Sequence, residues 1–544
     1  MRILVADKLA DDGLEYLKQS GVAFDVKVGL KEDELASAVG GYDALIVRSG
    51  AKVTAKVLEN PGQLKAIARA GVGVDNIDLP AATAKGILVL NTAEASTLST
   101  AEHALALMLS LARKIPQAHA SLRSGELDWK ARGKYQGTQL AGKTLGVVGL
   151  GRIGRTVASR ALAMEMTVLG YDPYFTGPSA LDGRVKLLRD FDGFLSQLDV
   201  ITFHVPGGEG TRHLLNRQRL FGKCRPNLLV VNDARGEVVD EYALADALRE
   251  KKIAGAAIDV YAKEPPPRDH PLFGLENVVV TPHLGASTDE AQTAVAVEAC
   301  KAIVAYLTSG EIRGAVNAGG IRLDLPPDEA PFAQLARRAG AMLAALFDGG
   351  VKTVTLRVHG PRTQKLAGTL LRLATVELLR PHLEMPVNVI NVEYHARSRG
   401  IELVQISEAS PPSGLVGDVL ELRADGPNGE SHRIVGTAYA DLLPRVVRVD
   451  GYSMDMVPEG HMVLIVNKDM PGVIGTVGTT FGDAQVNIAD MVISRTANPD
   501  GTTTAFMILK TDSEPPTSLL NRLAARPNIL RVRAVALPPR GASA

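Results

Sequence analysis

Six short apolar runs, TLGVVGL, MTVLGYD, DVITFHV, NLLVVND, IAGAAIDV and NVVVTPH, recur between residues 144 and 283, separated by turns and helical stretches. Runs without polar alternation are buried on both faces, and a sheet covered on both faces takes parallel strands with helices as its two outer layers. The segment is therefore expected to be a doubly wound parallel sheet. Its ligand crevice would lie outside the carboxyl ends of the strands.

A weaker version of the same alternation fills residues 1–95, with apolar runs at 3–6, 44–47, 66–68 and 87–90. Residues 99–120 are predicted to form one long helix, with Ser99 as N-cap and Glu102 three residues on. A second helix, predicted over 287–308, could return the chain to the first unit. Residues 318–452 mix helical and alternating patterns. The last 85 or so residues follow the order strand, helix, strand, strand, helix, strand, a ferredoxin-like βαββαβ arrangement.

Sixty basic against 60 acidic residues leave no global field for nucleic acid or an anionic membrane, and 4% aromatic residues supply few stacking platforms. Neither nucleic acid nor membrane is expected as a partner. No stretch approaches the roughly 20 apolar residues that span a bilayer. The opening MRILVADKLADDG runs straight into a strand pattern rather than a leader. Cys224 and Cys300, the two cysteines, are too few for a disulfide framework and are expected to be small buried hydrophobes. The expected location is the cytoplasm.

Chemistry enters at strand ends. Gly149, Gly151 and Gly154 of GLGRIG close one apolar run and open a helical stretch, where backbone amides hold a pyrophosphate. Asp172 ends the next run, 18 residues beyond Gly154. A carboxylate there accepts hydrogen bonds from ribose hydroxyls and repels an extra phosphate, so NAD is favoured over NADP; otherwise Asp172 is a turn former before Pro173. Arg235, Glu264 and His283 each follow a later apolar run and so could converge on the same crevice. A histidine accepts a proton near neutrality, an adjacent carboxylate favours the imidazolium, and an arginine grips a carboxylate with two parallel bonds. Arg48 with Ser49 and Gly50, and Arg69 leading into Gly71, set cations beside turn glycines, a suitable arrangement for an anion.

Taken together, RSGAKV (48–53), ARAGVGVDNID (68–78), GKTLGVVGLGRIGR (142–155), ARGEVVDE (234–241), GAAIDVYAKEPP (255–266) and TPHLGASTDEAQ (281–292) resemble the D-isomer-specific 2-hydroxyacid dehydrogenases. VNAGG, INVEYHARSRGIEL (390–403) and the last module resemble the long, phosphoglycerate-oxidising form of that family. The resemblance implies two flavodoxin/Rossmann-like doubly wound domains, an α+β intervening domain and a C-terminal ferredoxin-like ACT domain. It divides the chain into a substrate-binding domain (1–97 and 288–317), an NAD-binding domain (98–287), an intervening domain (318–452) and an ACT regulatory domain (460–538). The implied reaction is NAD-dependent oxidation of 3-phospho-D-glycerate to 3-phosphohydroxypyruvate, the first step of serine biosynthesis.

Position by position, the resemblance makes His283 the acid/base, Glu264 its partner and Arg235 the substrate-carboxylate anchor. It adds Val72, Arg152, Ile153, Pro206, Asp233, Ala234, Asp259 and Gly285 to the cofactor contacts, and assigns Arg48, Ser49, Arg69, Gly71 and Ser96 to the substrate. In the ACT module, Asn467, Asp469 and Asn487 match positions that bind a serine effector at an interface between two copies, which implies a homo-oligomer. No metal is expected. Several positions depart from the family pattern. Ser96 stands where an asparagine is common, Gly207 and Gly208 replace Leu-Thr, Glu237 replaces a glycine, and Asp233 is a carboxylate beside the nicotinamide. An inward-pointing Asp233 would favour the oxidised, positively charged ring by Coulomb attraction. Two further readings stay open: another 2-hydroxy or 2-oxo acid as substrate, such as hydroxypyruvate or 2-oxoglutarate, or an NAD-sensing binding protein without catalysis.

Overall fold

A computed structural model of the chain describes residues 1–125, 129–177, 179–412, 414–439, 442–497 and 502–539. Its strands form four sheets. The first contains β1 (Arg2–Val5), β2 (Ala23–Val26), β3 (Ala44–Val47), β4 (Ala66–Arg69) and β5 (Leu88–Asn91), all parallel, in the order β2-β1-β3-β4-β5. The order reverses between β1 and β3, so a crevice opens at their carboxyl ends.

The second sheet follows with β6 (Thr144–Val148), β7 (Thr167–Tyr171), β8 (Ser179–Ala180), β9 (Val185–Leu187), β10 (Val200–Phe203), β11 (Leu229–Asn232), β12 (Gly255–Ile258) and β13 (Val278–Val280). Its order is β13-β12-β11-β10-β6-β7-β9-β8, parallel except for the short β8–β9 pair. Strands β10, β11 and β12 are buried at every position, as their unbroken apolar runs require. One core lies on each face of the sheet.

Two long helices join these sheets. The predicted helix over 99–120 is in fact two, Thr97–Arg113 and Ile115–Arg123, separated by Lys114 at φ 51°. Pro116, which lacks an N–H and crowds the preceding turn, accounts for the break. Nor does Ser99 cap: it lies inside the first turn, and its hydroxyl bonds the Thr288 hydroxyl at 2.8 Å. Thr288 itself caps the second long helix, Asp289–Ser309, by accepting from the Ala291 amide. That helix packs against β3, β4, β5 and the helix Asp11–Ser20 of the first sheet.

The third sheet is mixed: β14 (Thr353–His359), β15 (Glu402–Glu408), β16 (Val419–Asp425), β17 (Ser431–Ala438), β18 (Pro444–Val449) and β19 (Tyr452–Met456), in the order β15-β14-β16-β17-β18-β19. Helices Ala330–Leu346 and Pro361–Leu379 pack on each other and on this sheet. The fourth sheet is antiparallel, β20 (His461–Lys468), β21 (Ile488–Ala497), β22 (Thr503–Thr511) and β23 (Ile529–Ala536), in the order β21-β22-β20-β23, with helices Val473–Asp483 and Thr517–Ala524. This is the βαββαβ order expected from the sequence. Cys300 is fully buried and Cys224 half-buried, and burial pushes both thiols up to about 12, the Asp192 charge adding to it at Cys224. Among the described residues, no helix is long and apolar enough to cross a membrane.

Candidate active site

The glycines after β6 form a cradle. Gly149 sits at φ 88°, where a side chain would meet the His204 carbonyl, and a Cβ on Gly154 would lie 1.9 Å from the Gly149 carbonyl oxygen. The third glycine thus lets the helix Arg152–Ala163 start against the strand end. Nothing lies within 4 Å of a Cβ at Gly151, so the helix N-terminus is open to a bound anion. Asp172, just past β7, accepts from the amides of Leu150 and Tyr174 at 2.9 and 3.0 Å, which fixes its carboxylate beside the cradle. These residues fit a dinucleotide: amides for its pyrophosphate and an oriented carboxylate for its ribose. Of the neighbours expected to line it, Arg152 pairs with Glu94 at 2.5 Å, Ile153 packs on the core below, the Val72 carbonyl accepts from Asn91, and the Pro206 carbonyl accepts from Thr211.

Across the crevice, His283 Nδ1 and Glu264 Oε2 are 2.7 Å apart. Glu264 Oε1 accepts from the Tyr261 amide, and His283 donates its own amide to the Asp259 carbonyl. Burial raises the Glu264 carboxyl, but the His283 hydrogen bond, the Tyr261 amide and the charges of His283 and Arg235 outweigh it and hold the group below the ordinary glutamate range. A carboxylate fixed on Nδ1 leaves Nε2 to exchange a proton with a substrate. Arg235 is held by Asp75 at 3.2 Å and by the Ala234 carbonyl at 2.6 Å; a Cβ on Gly73 would collide with its guanidinium. A cavity of about 310 Å³ beside the pair is lined by Glu264, Pro266, Phe273, Thr281 and His283. A larger one of about 1270 Å³ lies between the first sheet and the third segment, but cations on its wall are already ion-paired: Lys65 with Asp43, Arg322 with Glu329, Arg337 with Glu377.

Arg48 follows β3 and Arg69 ends β4. The Asp7 carboxylate, past β1, accepts from the amides of Arg48 and Ala51, and the Arg48 side chain bonds Gln292. Arg69 lies over Gly71, whose own amide donates to Thr92. Burial, then the charge of Arg235, lower the Arg69 proton affinity; Asp75 opposes this and Arg48 adds to it. Three guanidiniums that feel one another and are incompletely neutralised favour a ligand of more than one negative charge. Ser49 is exposed at the rim, whereas Ser96 is fully buried with its hydroxyl unpartnered and presents no surface to a ligand here.

Two departures from the family pattern answer each other. Glu237 Oε1 accepts from the Gly208 amide at 2.6 Å, and a Cβ on Gly207 would lie 2.6 Å from that oxygen. The carboxylate needs the glycines. Asp233 lies buried just past β11. Burial first, then the charge of Asp259 and a hydrogen bond with it, raise its carboxyl well above the ordinary aspartate range, with Arg235 opposing. Ala234 is buried beside it, its amide donating to Asn232. Asp259 is fully buried, and its oxygens accept from Thr281, Leu284 and Gly285.

In the fourth sheet, Asn467 is buried at the end of β20 and donates to the Lys468 carbonyl, and Asp469 faces Arg495 at 3.5 Å. Asn487 bonds Asp512 at 2.7 Å. Asn467 pairs with Ala505 of β22, but Ile488, next to Asn487, pairs with Thr511. Six residues of strand set the two asparagines about 20 Å apart at opposite ends of one sheet.

Sequence reasoning missed Asp75, Gln292 and Glu94, which position Arg235, Arg48 and Arg152. Asp75 and Gln292 lay inside the motifs, but no spacing marks their partners.

Comparison with known proteins bears on this site. A model of the "D-isomer specific 2-hydroxyacid dehydrogenase, NAD binding domain" matches residues 105–285, one of the "D-3-phosphoglycerate dehydrogenase intervening domain" matches 329–450, and one of the "ACT domain" matches 461–528. The chain is 40% identical to a D-3-phosphoglycerate dehydrogenase of Archaeoglobus fulgidus over 95% of its own length and 96% of the relative's. A protein of that name from Methanocaldococcus jannaschii is 39% identical over 99% and 100%. The crystal structure of the TT0316 protein from Thermus thermophilus superposes with TM-score 0.54 at 37% identity, covering 58% of this chain and all of that one. Matched along nearly its whole length, with each module in order, the chain belongs to the D-3-phosphoglycerate dehydrogenase family of D-isomer-specific 2-hydroxyacid dehydrogenases.

Proposed function

We infer that the protein oxidises 3-phospho-D-glycerate to 3-phosphohydroxypyruvate with NAD, the entry step of serine biosynthesis. The observation that carries this reading is the 2.7 Å His283–Glu264 pair facing Arg235 across the crevice that also holds the glycine cradle. When bound, the nicotinamide accepts the hydride of the substrate carbon. His283 takes the hydroxyl proton at Nε2, and Glu264 stabilises the resulting imidazolium. Arg235, fixed by Asp75, grips the substrate carboxylate and sets which face of the carbon is presented. Arg48 and Arg69, with Ser49 and the Gly71 turn, receive the phosphate; three cations at one end of the crevice favour the phosphorylated acid over hydroxypyruvate or 2-oxoglutarate. An intact acid/base pair also argues against a purely NAD-sensing role.

The ACT module supports amino-acid control. With Asn467 and Asn487 about 20 Å apart in one chain, a single serine that touches both lies between two copies, so a homo-oligomer is part of the reading. A cytoplasmic location suits an enzyme that draws on NAD and a phosphorylated three-carbon acid. The test is NADH formation from 3-phospho-D-glycerate and from unphosphorylated D-glycerate, with and without serine, on wild type and His283→Ala. The substitution is expected to cut turnover by about a hundredfold or more. Near-normal turnover in His283→Ala, or equal rates on both acids, would reject the assignment.

A further inference from the structure

The carboxyl ends of β11 and β12 carry two acids in direct reach of each other. His103, Asp233 and Asp259 each place one polar atom within 4.8 Å of the others. Asp259 is surrounded by donors: His103 Nε2 at 3.2 Å, the Thr281 hydroxyl at 2.5 Å, and the amides of Leu284 and Gly285 at 2.8 and 3.0 Å. Asp233 is built differently. It is only 6% exposed, yet its Oδ2 has no hydrogen-bond partner. Two carboxylate oxygens facing each other are both acceptors, and only a proton joins them.

Every charged or titratable neighbour bears on that proton. Asp259 comes from the end of β12, His103 from the helix Thr97–Arg113, and Arg235 from Asp233's own loop. The 281–288 loop carries one titratable residue, His283. Burial would raise Asp259 too, but the bonds from His103, Thr281, the Leu284 amide and Asp233 hold it well below the ordinary range, and with four donors on Asp259 and none on Asp233 Oδ2, Asp233 is the better site for a proton shared by the pair. Asp233 also touches the catalytic loop: a Cβ on Gly285, two residues past His283, would lie 2.7 Å from its Oδ1.

We propose that Asp233 is a specificity-determining residue for the oxidation state of the nicotinamide: the Asp233–Asp259 pair keeps its one proton beside the neutral, reduced ring and releases it beside the positively charged, oxidised ring. The proposal rests on the NAD-dependent reading above and adds a proton linkage to it. Asp233 loses H⁺ to solvent when NAD⁺ binds. After hydride transfer the ring is uncharged, and Asp233 regains H⁺ from solvent, so the pair returns to its starting state over one cycle. A unit charge beside a cation in a half-buried crevice changes affinity by about tenfold or more.

The experiment is calorimetric titration of the full-length protein with NAD⁺ and with NADH, each in two buffers of different ionisation enthalpy, from about pH 6 to about pH 9. Proton release is expected with NAD⁺ and none with NADH, and NAD⁺ affinity is expected to rise about tenfold with pH while NADH affinity changes less than about twofold. Asp233→Asn keeps the shape but cannot ionise; it is expected to abolish the release and flatten the NAD⁺ profile. Release that persists in Asp233→Asn, or is absent from the wild type throughout, overturns the proposal. The wild-type count decides alone if neither Asp233→Asn nor Asp233→Ser folds. A protein that binds neither form overturns the NAD-dependent reading as well, whereas one that binds and turns over without proton linkage overturns only the role of Asp233.

Discussion

A single carboxylate decides how the acid/base histidine is presented. Glu264 is held ionised by the partners it meets in the fold, so its interaction with His283 persists above the unfolded pKa of a glutamate and is lost as pH falls through the lower folded value. Activity is therefore expected to fall on the acid side as Glu264 takes up its proton. Glu264→Gln is expected to lower turnover about tenfold or more and to remove that step from the pH profile of kcat/KM. An unchanged acid limb would show that the limb belongs to another group. At this scale the motif residues were legible because chemistry-bearing side chains follow apolar runs, as Arg235, Glu264 and His283 do. Their supports were not: Asp75 lies 160 positions before Arg235 and Gln292 lies 244 after Arg48, and nothing local in the chain marks such pairings. The upward shift of the Asp233 carboxyl was equally hidden, because it follows from burial against Asp259 rather than from the residue's identity.

Elements were more legible than their ends. Continuous apolar runs gave the second sheet, since burial on both faces leaves no alternation to misplace. The predicted helix over 99–120 erred because the capping-box pattern at Ser99 and Glu102 competes with the break that Pro116 imposes, and the Ser99 hydroxyl is drawn to Thr288 instead. The strand–helix junction at the glycine cradle yields a prediction of its own. Gly154→Ala puts a methyl group against the rigid Gly149 carbonyl, so the helix Arg152–Ala163 must shift outward. Overpacking of this kind costs about 1–3 kcal/mol, and the same shift misplaces the amides that face the pyrophosphate. Thermal unfolding and NAD titration of Gly154→Ala are expected to show both a lower midpoint and weaker binding; a loss of one without the other would separate the two roles of this contact.

Across the whole molecule, the cores are distributed unevenly. One continuous core joins Ile3, Ile46 and Leu88 of the first sheet to Val295 and Ile303 of the returning helix, then to Phe332, Leu370 and Leu422, and finally to Leu464 and Phe506 of the fourth sheet. The second sheet closes its own two cores without members from the first, third or fourth. Scanning calorimetry is expected to resolve two transitions, and NAD is expected to raise only the one that belongs to the second sheet, because a ligand stabilises the unit it binds. A single transition that moves as a whole would mean that the two halves unfold together. No motif foretold this division, since a shared core depends on which faces meet after each sheet has formed.

The 2.8 Å bond between the hydroxyls of Ser99 and Thr288 sits where the chain leaves one half and comes back to it. Both crossings are thereby stitched at one height, like the two threads of a book's spine. A closing of the crevice by rotation about that seam would bring Arg48 and Arg69 on one cover toward His283 on the other.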